Sequence, residues 1–474
     1  MPYLSTRDTR NPPEALSFDE VLLAGLARDG GLYVPQSWPR LDGATLAGLR
    51  DKTYAEIAAA VTAPFLDGTI APAAWRAMVE DAYRSFDDPA VAPLKELGDN
   101  LYLLELFHGP TLAFKDYALQ LVGRLFDHVL AKRGTRVTII GATSGDTGSA
   151  AIAACRDREA VDIFMLYPKG RISEVQRRQM TSVAAGNVHA IAIDGTFDDC
   201  QDLVKAMFAD ERFRRDMSLS AVNSINWARI MAQLVYYVTA ALKLDAPEKP
   251  VAFAVPTGNF GNVYAGHAAR RMGLPIAELV IGTNRNDILA RFINEGRMTI
   301  GAVEPSLSPS MDIQVSSNFE RLYFELTQGV AARVAAAMSE FRRTGTLPAT
   351  DAEWRAAAKL FAAARIDDEA TLVEIAATYR ASGIVLDPHS AIAVAAAKAK
   401  RRDPTVPMVA LATAHPAKFP EAVARAIGKQ PAMPARLEAV LSLPERAPQL
   451  PKDLAAIERF VRERARASPV GAVL

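Results

Sequence analysis

From near Leu101 onward, short apolar strands alternate with longer helical segments, and this alternation limits the folds that the chain can adopt. The predicted strands are residues 137–140, 162–167, 189–193, 251–255, 278–282 and 407–411. Strands separated by helical patterns are typical of parallel sheets that carry helices on both faces. The sequence therefore predicts an α/β protein, preceded by a mostly helical region over residues 1–98.

Two of these strands run into glycine-containing turns, residues 141–148 and 256–262. Helices are predicted to follow, from about Ser149 and from Val263. Backbone N–H groups in such a turn, together with a helix N-terminus, can bind an anion. The first turn lacks the spacing of a Walker A loop or a Rossmann fingerprint, and a well-capped tight turn is its alternative interpretation. The second turn is the better phosphate site.

Lys115 is a cation for which the sequence offers no obvious structural role. Gly109-Pro110 indicates a turn, Thr111 is a candidate N-cap, and apolar spacing predicts a helix from about Ala113. A lysine in the first turn of that helix meets the positive end of the helix dipole, and burial among apolar neighbours also favours the neutral amine. A neutral, positioned amine suits Schiff-base chemistry. The alternative is a solvated lysine beside Asp116.

Two further elements point to ligand binding. The strand at residues 407–411 ends just before Thr413, at the sheet edge where open α/β proteins bind ligands. A helix predicted over residues 223–242 opens with Ser224 and Arg229, and the arginine either clamps a phosphate or carboxylate or pairs with a nearby acidic residue. A pyridoxal phosphate site explains the lysine, both turns and the threonine together. The lysine would hold the aldehyde, a helix N-terminus would hold the phosphate, and a hydroxyl or carboxylate would face the pyridine nitrogen.

These motifs resemble the threonine synthase family, within the fold type II (tryptophan-synthase-β-like) pyridoxal phosphate enzymes. The resemblance runs from residues 3–7 through 29–33 to 415–419, and its most specific motifs are residues 108–116, 143–148 and 258–262. It implies two parallel-sheet α/β domains around the cofactor and the long N-terminal region of the bacterial and fungal subgroup. The expected parts are an N-terminal region (1–98), a large cofactor domain (99–125 and 215–435), a small α/β domain (126–214) and a C-terminal helical tail (436–474).

The resemblance also implies residue roles. Lys115 would be the Schiff-base lysine and general base. The other implied cofactor contacts are Gly258, Asn259, Phe260, Gly261 and Asn262 at the phosphate, Thr413 at the pyridine nitrogen and Asp146 near O3′. The implied substrate contacts are Thr143, Ser144, Asp146 and Thr147 at the carboxylate, and Ser224 and Arg229 at a phosphate, with Lys169, Arg171 and Ser173 as further phosphate candidates. Many fold type II relatives have Asn where Asp146 stands.

The implied reaction converts O-phospho-L-homoserine and water to L-threonine and phosphate, which would make the chain a lyase of threonine biosynthesis. One alternative is a serine/threonine dehydratase, which has no need for a second phosphate site. Another is a non-catalytic descendant of the fold, but the lysine and the loop glycines are all present. A nucleotide-binding protein is disfavoured because the first turn has no P-loop lysine.

The composition of the chain excludes several classes of binding partner and indicates a cellular compartment. The chain has 54 basic and 54 acidic residues, so no charge pattern for nucleic acid or anionic membrane is present. Its two cysteines cannot form a disulfide framework, and its six histidines lack metal-site spacing. No secretory signal and no apolar run of about 18 residues is evident. We expect a cytoplasmic enzyme without a metal, a monomer or homodimer that acts on a small molecule.

Overall fold

The computed structural model describes residues 1–66 and 68–466, so the last residues of the predicted tail, 467–474, lie outside the described residues. The chain divides into two compact units. Unit 1 comprises Met1–Val21, Leu26–Phe114 and Ser224–Pro431. Unit 2 comprises Leu22–Gly25, Lys115–Asn223 and the described chain from Ala432 onward.

The helices and strands follow in chain order. Up to residue 114 they are β1 (Tyr3–Ser5), α1 (Phe18–Ala24), β2 (Tyr33–Pro35), α2 (Gly43–Leu49), α3 (Tyr54–Leu66), α4 (Pro72–Tyr83), β3 (Leu94–Gly98) and β4 (Leu101–Glu105). Residues 115–223 form α5 (Lys115–Arg133), β5 (Val137–Ala142), α6 (Asp146–Cys155), β6 (Val161–Pro168), α7 (Glu174–Thr181), β7 (Val188–Ile193), α8 (Phe197–Ala209), α9 (Glu211–Asp216) and β8 (Leu219–Ser220). Residues 224–431 form α10 (Trp227–Lys243), β9 (Val251–Pro256), α11 (Gly261–Met272), β10 (Ile276–Thr283), α12 (Ile288–Glu295), α13 (Phe319–Leu326), α14 (Ala331–Thr344), α15 (Asp351–Leu360), β11 (Phe361–Arg365), α16 (Asp368–Ser382), α17 (Pro388–Lys400), β12 (Met408–Ala412) and α18 (Pro420–Ile427). The remaining elements are α19 (Ala435–Ser442), β13 (Gln449–Leu450) and α20 (Leu454–Arg464).

Unit 1 is built on a sheet with the strand order β11-β10-β9-β12-β4-β3, parallel except for the β3–β4 pair. Its central strands are continuous apolar runs, as expected where both faces of a parallel sheet are covered. Helix α17 packs closely on this sheet, since a Cβ built on Gly282 would lie 2.9 Å from Ile392 Cγ2. The alanines of α17 make that approach possible.

Unit 2 is built on a parallel sheet with the order β13-β7-β6-β5-β8. One face carries a core in which Ile140, Phe164 and Ile191 join residues of α8 and α20. Helices α5 and α6 pack tightly together, because a Cβ on Gly123 would lie 2.4 Å from the Ala154 carbonyl oxygen. The predicted α/β class with parallel sheets is confirmed.

Helix starts are the main local differences from the predictions. Helix α5 begins at Lys115 rather than near Ala113, and the predicted N-cap Thr111 is wrong because Leu112 after it has a φ of +59°. Helices α6 and α11 begin at Asp146 and Gly261, earlier than predicted, so each glycine turn ends inside a first helical turn. The helix predicted from 223 begins at Trp227, capped by Asn226.

The boundaries of the units differ from the predicted domain boundaries. Residues 1–98 belong to unit 1 apart from 22–25, rather than forming a separate region. The division after β4 falls at Lys115 rather than at 126, because α5 packs on α6. The tail belongs to unit 2, because β13 pairs with β7 and α20 joins its core. Among the described helices, none is long and apolar enough to cross a membrane.

Candidate active site

Lys115 is the first residue of α5 and of the second segment of unit 2, and it is only 8% exposed. The solvated alternative is therefore wrong. Its Nζ lies 3.5 Å from Oδ2 of Asp146 at the start of α6. The carboxylate is a counter-ion for this buried amine, and the sequence does not predict the contact. The pair holds the amine of Lys115 at a defined position in unit 2.

The turn before α6 is shaped by Thr143. Its Oγ1 accepts hydrogen bonds from the amides of Gly145 and Gly148, at 3.0 and 2.9 Å. The glycine at 145 is required twice over: its φ is +143°, and a Cβ there would lie 2.4 Å from the side chain of Gln176. The hydroxyl of Thr143 is thus used within the turn, while Ser144 is exposed and Thr147 half-buried. Of the predicted carboxylate contacts here, Ser144 and Thr147 are the more accessible.

Asp146 belongs to a hydrogen-bond network that the sequence does not predict. Its Oδ1 accepts from Nε2 of Gln176 at 2.9 Å, and Oε1 of Gln176 accepts from the Ser173 hydroxyl at 3.1 Å. Ser173 also caps α7 by accepting from the Gln176 amide. The Ser-x-x-Gln spacing indicates this local pairing, but nothing in the sequence indicates its contact with Asp146.

The other two phosphate candidates of unit 2 lie apart from this network. Lys169 and Arg171 are both exposed, and Nζ of Lys169 is hydrogen-bonded to Oε1 of Gln449 at 3.1 Å. Ser173 is therefore the one of the three that the structure brings to Asp146.

In unit 1 the turn after β9 has its carbonyl groups fixed by a neighbouring loop. Ser316 Oγ donates to the Gly258 carbonyl at 2.7 Å, and Asn318 Nδ2 donates to the Asn259 carbonyl at 3.0 Å. In a trans peptide the N–H points opposite to the C=O, so the amides of Asn259 and Phe260 point away from that loop. Phe260 has a φ of +64°, and its buried ring packs against Phe319. The result is a rigid turn with an edge of N–H donors at the start of α11.

Asn262, in the first turn of α11, has a donor to spare. Its Oδ1 accepts from the Tyr236 hydroxyl at 2.6 Å, whereas its Nδ2 is buried and has no hydrogen-bond partner. A buried donor without an acceptor costs free energy, about 1–3 kcal/mol. An anion at the turn would satisfy it, so the residues at 258–262 fit a phosphate group.

Arg229, in the first turn of α10, is 3% exposed, and its Nε and Nη1 have no hydrogen-bond partner. Burial lowers the pKa of its guanidinium to about 10, so it stays charged at neutral pH. In the described part of the chain no carboxylate pairs with it, and the predicted alternative of an acidic partner is wrong. A buried cation without a paired carboxylate is costly, and an anionic ligand would offset that cost.

Ser224 is joined to the turn at 258–262 by Asn318, a residue that the sequence does not predict as part of the site. Nδ2 of Asn318 donates both to the Ser224 carbonyl, at 3.1 Å, and to the Asn259 carbonyl. The side-chain amide of Asn318 therefore bonds both to the segment that leads to Arg229 and to the turn at 258–262. No sequence pattern indicates Asn318, because its partners are far away along the chain.

Thr413 is 5% exposed and follows β12 in unit 1. Its carbonyl accepts from the Phe114 amide at 2.9 Å, and its own amide donates to Oγ of Ser390 at 3.1 Å. Nearby, burial and the charge of His108 lower the pKa of His415 to about 4, so this imidazole is neutral at physiological pH. Thr413 is thus held beside the residue that precedes Lys115 in the chain.

The site residues fall into two sets. Unit 1 carries the turn at 258–262, Ser224, Arg229 and Thr413, and unit 2 carries Lys115, the turn at 143–148 and the segment 169–173. Within the described residues no group of three or more His, Cys, Asp or Glu side chains is placed to hold a metal ion.

A substitution at Gly261 tests the phosphate turn. A Cβ there would lie 3.2 Å from Asn318 Nδ2, so Gly261→Val is expected to displace that amide and to weaken pyridoxal phosphate binding by roughly tenfold or more. Equilibrium dialysis of the purified protein measures this. Gly48→Val is the control, because nothing lies within 4 Å of a Cβ at Gly48. Wild-type affinity in Gly261→Val would instead assign the phosphate to the turn at 141–148.

Three features together indicate the class of enzyme. They are a buried lysine at a helix start, a rigid amide turn after a parallel strand, and a threonine at the end of a neighbouring strand. The chain is a pyridoxal-phosphate dependent enzyme of fold type II, and the family described as pyridoxal-phosphate dependent enzyme matches residues 89–364. Two more specific families match the flanks: threonine synthase N terminus at residues 2–83, and threonine synthase, C-terminal, at residues 390–461.

Individual relatives and solved structures indicate the same family as the family models. The chain is 55% identical to threonine synthase of Pseudomonas aeruginosa over 464 residues, which cover 98% of each chain. It also superimposes on pyridoxal phosphate-bound threonine synthase from Brucella melitensis with a TM-score of 0.96 and 51% identity, covering 98% of this chain and 100% of the other. Threonine synthase from yeast gives a TM-score of 0.93 and 38% identity, covering 98% of each chain. The chain belongs to the threonine synthase family.

Proposed function

We propose that this enzyme converts O-phospho-L-homoserine and water to L-threonine and phosphate. The observation that carries the proposal is the buried guanidinium of Arg229, which has two unpartnered nitrogens. The amide turn and Asn262 would bind the cofactor phosphate. A second phosphate, brought by the substrate, would give Arg229 its counter-ion.

Both sets of unsatisfied donors lie in unit 1. The Tyr236 hydroxyl lies 2.6 Å from Asn262 Oδ1 and 3.1 Å from Gln233 Oε1, and Gln233 Nε2 donates to the Arg229 carbonyl at 3.0 Å. This chain of polar contacts connects the turn to the backbone of Arg229 but reaches neither Asn262 Nδ2 nor the unpartnered guanidinium nitrogens. Two unsatisfied sets of donors support two anionic groups.

We propose that the residues implied by the family resemblance hold the cofactor. The turn at 258–262 with Asn262 would bind its phosphate, Thr413 would face the pyridine nitrogen, and Lys115 would hold the aldehyde. When bound, pyridoxal phosphate supplies an electron sink for carbanions at the substrate. A neutral threonine at the pyridine nitrogen does not enforce protonation there, as a carboxylate would.

Lys115 is then the base. Displaced by the substrate amine, its amino group takes the proton from the substrate Cα, passes it on, and then takes a proton from Cβ as phosphate leaves from Cγ. It returns that proton to Cγ. Water then adds its oxygen at Cβ, the proton of the water leaves with the phosphate, and the proton at Cα is restored. Asp146, 3.5 Å from the amine, stabilises the protonated lysine after each transfer. Ser144 and Thr147 would hold the substrate carboxylate at the start of α6, where the helix dipole favours an anion.

The competing activity is a serine/threonine dehydratase. Its substrates carry no phosphate and would leave the Arg229 guanidinium buried without a counter-ion, which is costly. The test is the product balance of the purified enzyme. O-phospho-L-homoserine should yield phosphate and threonine in equal amounts, while serine and threonine should yield little keto acid. Faster turnover of serine or threonine than of O-phospho-L-homoserine would contradict the proposal.

A further inference from the structure

The N-terminus of α17 carries a carboxylate with more hydrogen bonds than a helix cap requires. Asp387 is 0% exposed and accepts from the amides of His389, at 2.9 Å, and Ser390, at 3.0 Å. Those two contacts are ordinary N-capping. In addition, the Ser390 hydroxyl donates to Oδ1, and the Nδ1 of the His389 ring lies 2.7 Å from Oδ2. Two side chains are thus oriented by Asp387 beyond the needs of the helix.

The first of these side chains leads to Thr413. Because the Ser390 hydroxyl proton is committed to Asp387, its oxygen is free to accept, and it does so from the Thr413 amide at 3.1 Å. The Thr413 carbonyl is fixed on its other side by the Phe114 amide at 2.9 Å. With both flanking peptide groups held, the direction in which the Thr413 side chain leaves the backbone is fixed.

The second side chain leads to the phosphate turn. Since Nδ1 of His389 donates to Asp387, Nε2 is the acceptor nitrogen, and it receives the Ser310 amide at 3.3 Å. Ser310 lies directly behind the turn: a Cβ on Gly258 would be 3.1 Å from the Ser310 carbonyl oxygen and 3.2 Å from Met311 Cα. The ring of Phe419, 4.9 Å from that of His389, fixes its orientation further.

We propose that Asp387 is a positioning residue that sets two parts of the cofactor site at once, Thr413 through Ser390 and the turn at Gly258 through His389. The inference rests on the proposed function, because it takes Thr413 and this turn as cofactor contacts. All the participants lie in unit 1. If Asp387 only capped the helix, Asn or Ser would serve equally well. A simple cap also would not orient the Ser390 and His389 side chains toward two other segments.

Asp387 has two arms, one through Ser390 to Thr413 and one through His389 to the turn at Gly258. Variants that break one arm at a time separate the positioning role from an effect on folding. Ser390→Ala removes the hydroxyl that joins Asp387 to Thr413 and leaves the contacts of His389 in place. His389→Asn keeps an N–H near the position of Nδ1 and removes the acceptor for Ser310. Asp387→Asn keeps a good N-cap and disturbs both arms. The matched control is Asp367→Asn, at the N-cap of α16, where the carboxylate accepts from the Ala370 amide and the residue is exposed.

The variants are compared as holoenzymes by absorbance of the bound cofactor, by equilibrium dialysis of pyridoxal phosphate and by thermal unfolding. His389→Asn should weaken cofactor binding roughly 3- to 10-fold, as expected for one lost hydrogen bond, with an unchanged spectrum of the bound fraction. Ser390→Ala should shift the cofactor absorbance and lower kcat by roughly 3- to 10-fold, with cofactor affinity and KM within about twofold of wild type. Asp387→Asn should show both effects.

The inference is overturned if Ser390→Ala and His389→Asn match Asp367→Asn in spectrum and in cofactor affinity. It is also overturned if both variants lose affinity and activity only in proportion to a fall in Tm, because that pattern describes a merely structural cap. Failure of the proposed function looks different: wild-type protein would then lack the cofactor absorbance or form no threonine.

Discussion

Replacing Lys115 by alanine is expected to lower kcat for threonine formation by roughly 10³-fold or more, because the same amine holds the cofactor and moves the substrate protons. The variant should still fold and still bind pyridoxal phosphate, since the turn at 258–262 and Thr413 lie in unit 1 and are unaffected. Activity assays and dialysis of the same preparation measure the two properties separately.

Borohydride reduction of the wild-type enzyme gives the direct test of this residue. The reduced pyridoxyl group should be found by peptide mapping on Lys115. Lys418 is the matched comparison, because it is also buried but donates to the Thr111 carbonyl at 2.8 Å. An adduct on Lys418, or an alanine variant at position 115 with normal kcat, would show that Lys115 is not the catalytic lysine.

Substitution of Arg229 is expected to have the second largest effect. A hydrogen bond to a charged group contributes about 1.5–3 kcal/mol, so losing two contacts in Arg229→Leu should lower kcat/KM for O-phospho-L-homoserine by roughly 10²- to 10⁴-fold. Arg229→Lys keeps the charge but loses the planar fork, and a loss of roughly tenfold is expected. Inhibition by inorganic phosphate should weaken in parallel.

Arg271→Lys serves as the control, since this arginine lies on α11, is half exposed and pairs with Glu325. Variants of Lys169 and Arg171 should retain nearly normal kcat/KM, because both residues are exposed. If either of them causes a larger loss than Arg229→Leu, the substrate phosphate binds at the segment 169–173 instead, and the clamp assigned to Arg229 is wrong.

The strands predicted from the sequence were those whose apolar runs are long enough to be buried on both faces, such as β9 and β12. Strand β11, Phe361–Arg365, was missed because its three central residues are alanines, which have low strand propensity. It is a strand because it pairs with β10 at the edge of the unit 1 sheet. That partner lies about 80 residues away, and no local pattern encodes it.

In the site, too, contacts between residues far apart in the chain could not be predicted. Lys115 and the turns at 141–148 and 256–262 lie in short, continuous motifs, so their chemistry could be predicted. Gln176, Asn318 and Asp387 could not, because each acts through partners that only the folded chain brings near. The helix starts at Asp146 and Gly261 were placed late, since apolar spacing begins only after the polar residues of a first helical turn.

The position of β12 has a consequence for how the polypeptide is made. In the sheet of unit 1, Leu103 of β4 lies beside Ala410 of β12, its register partner, and β12 also separates β4 from β9. During synthesis the two flanking strands leave the ribosome long before the strand that joins them. Pairings between such distant segments form slowly, and unpaired apolar strands are prone to aggregation. A nascent chain that ends before Met408 therefore exposes β4 and β9 as open edges, and we expect it to depend on chaperones until β12 emerges.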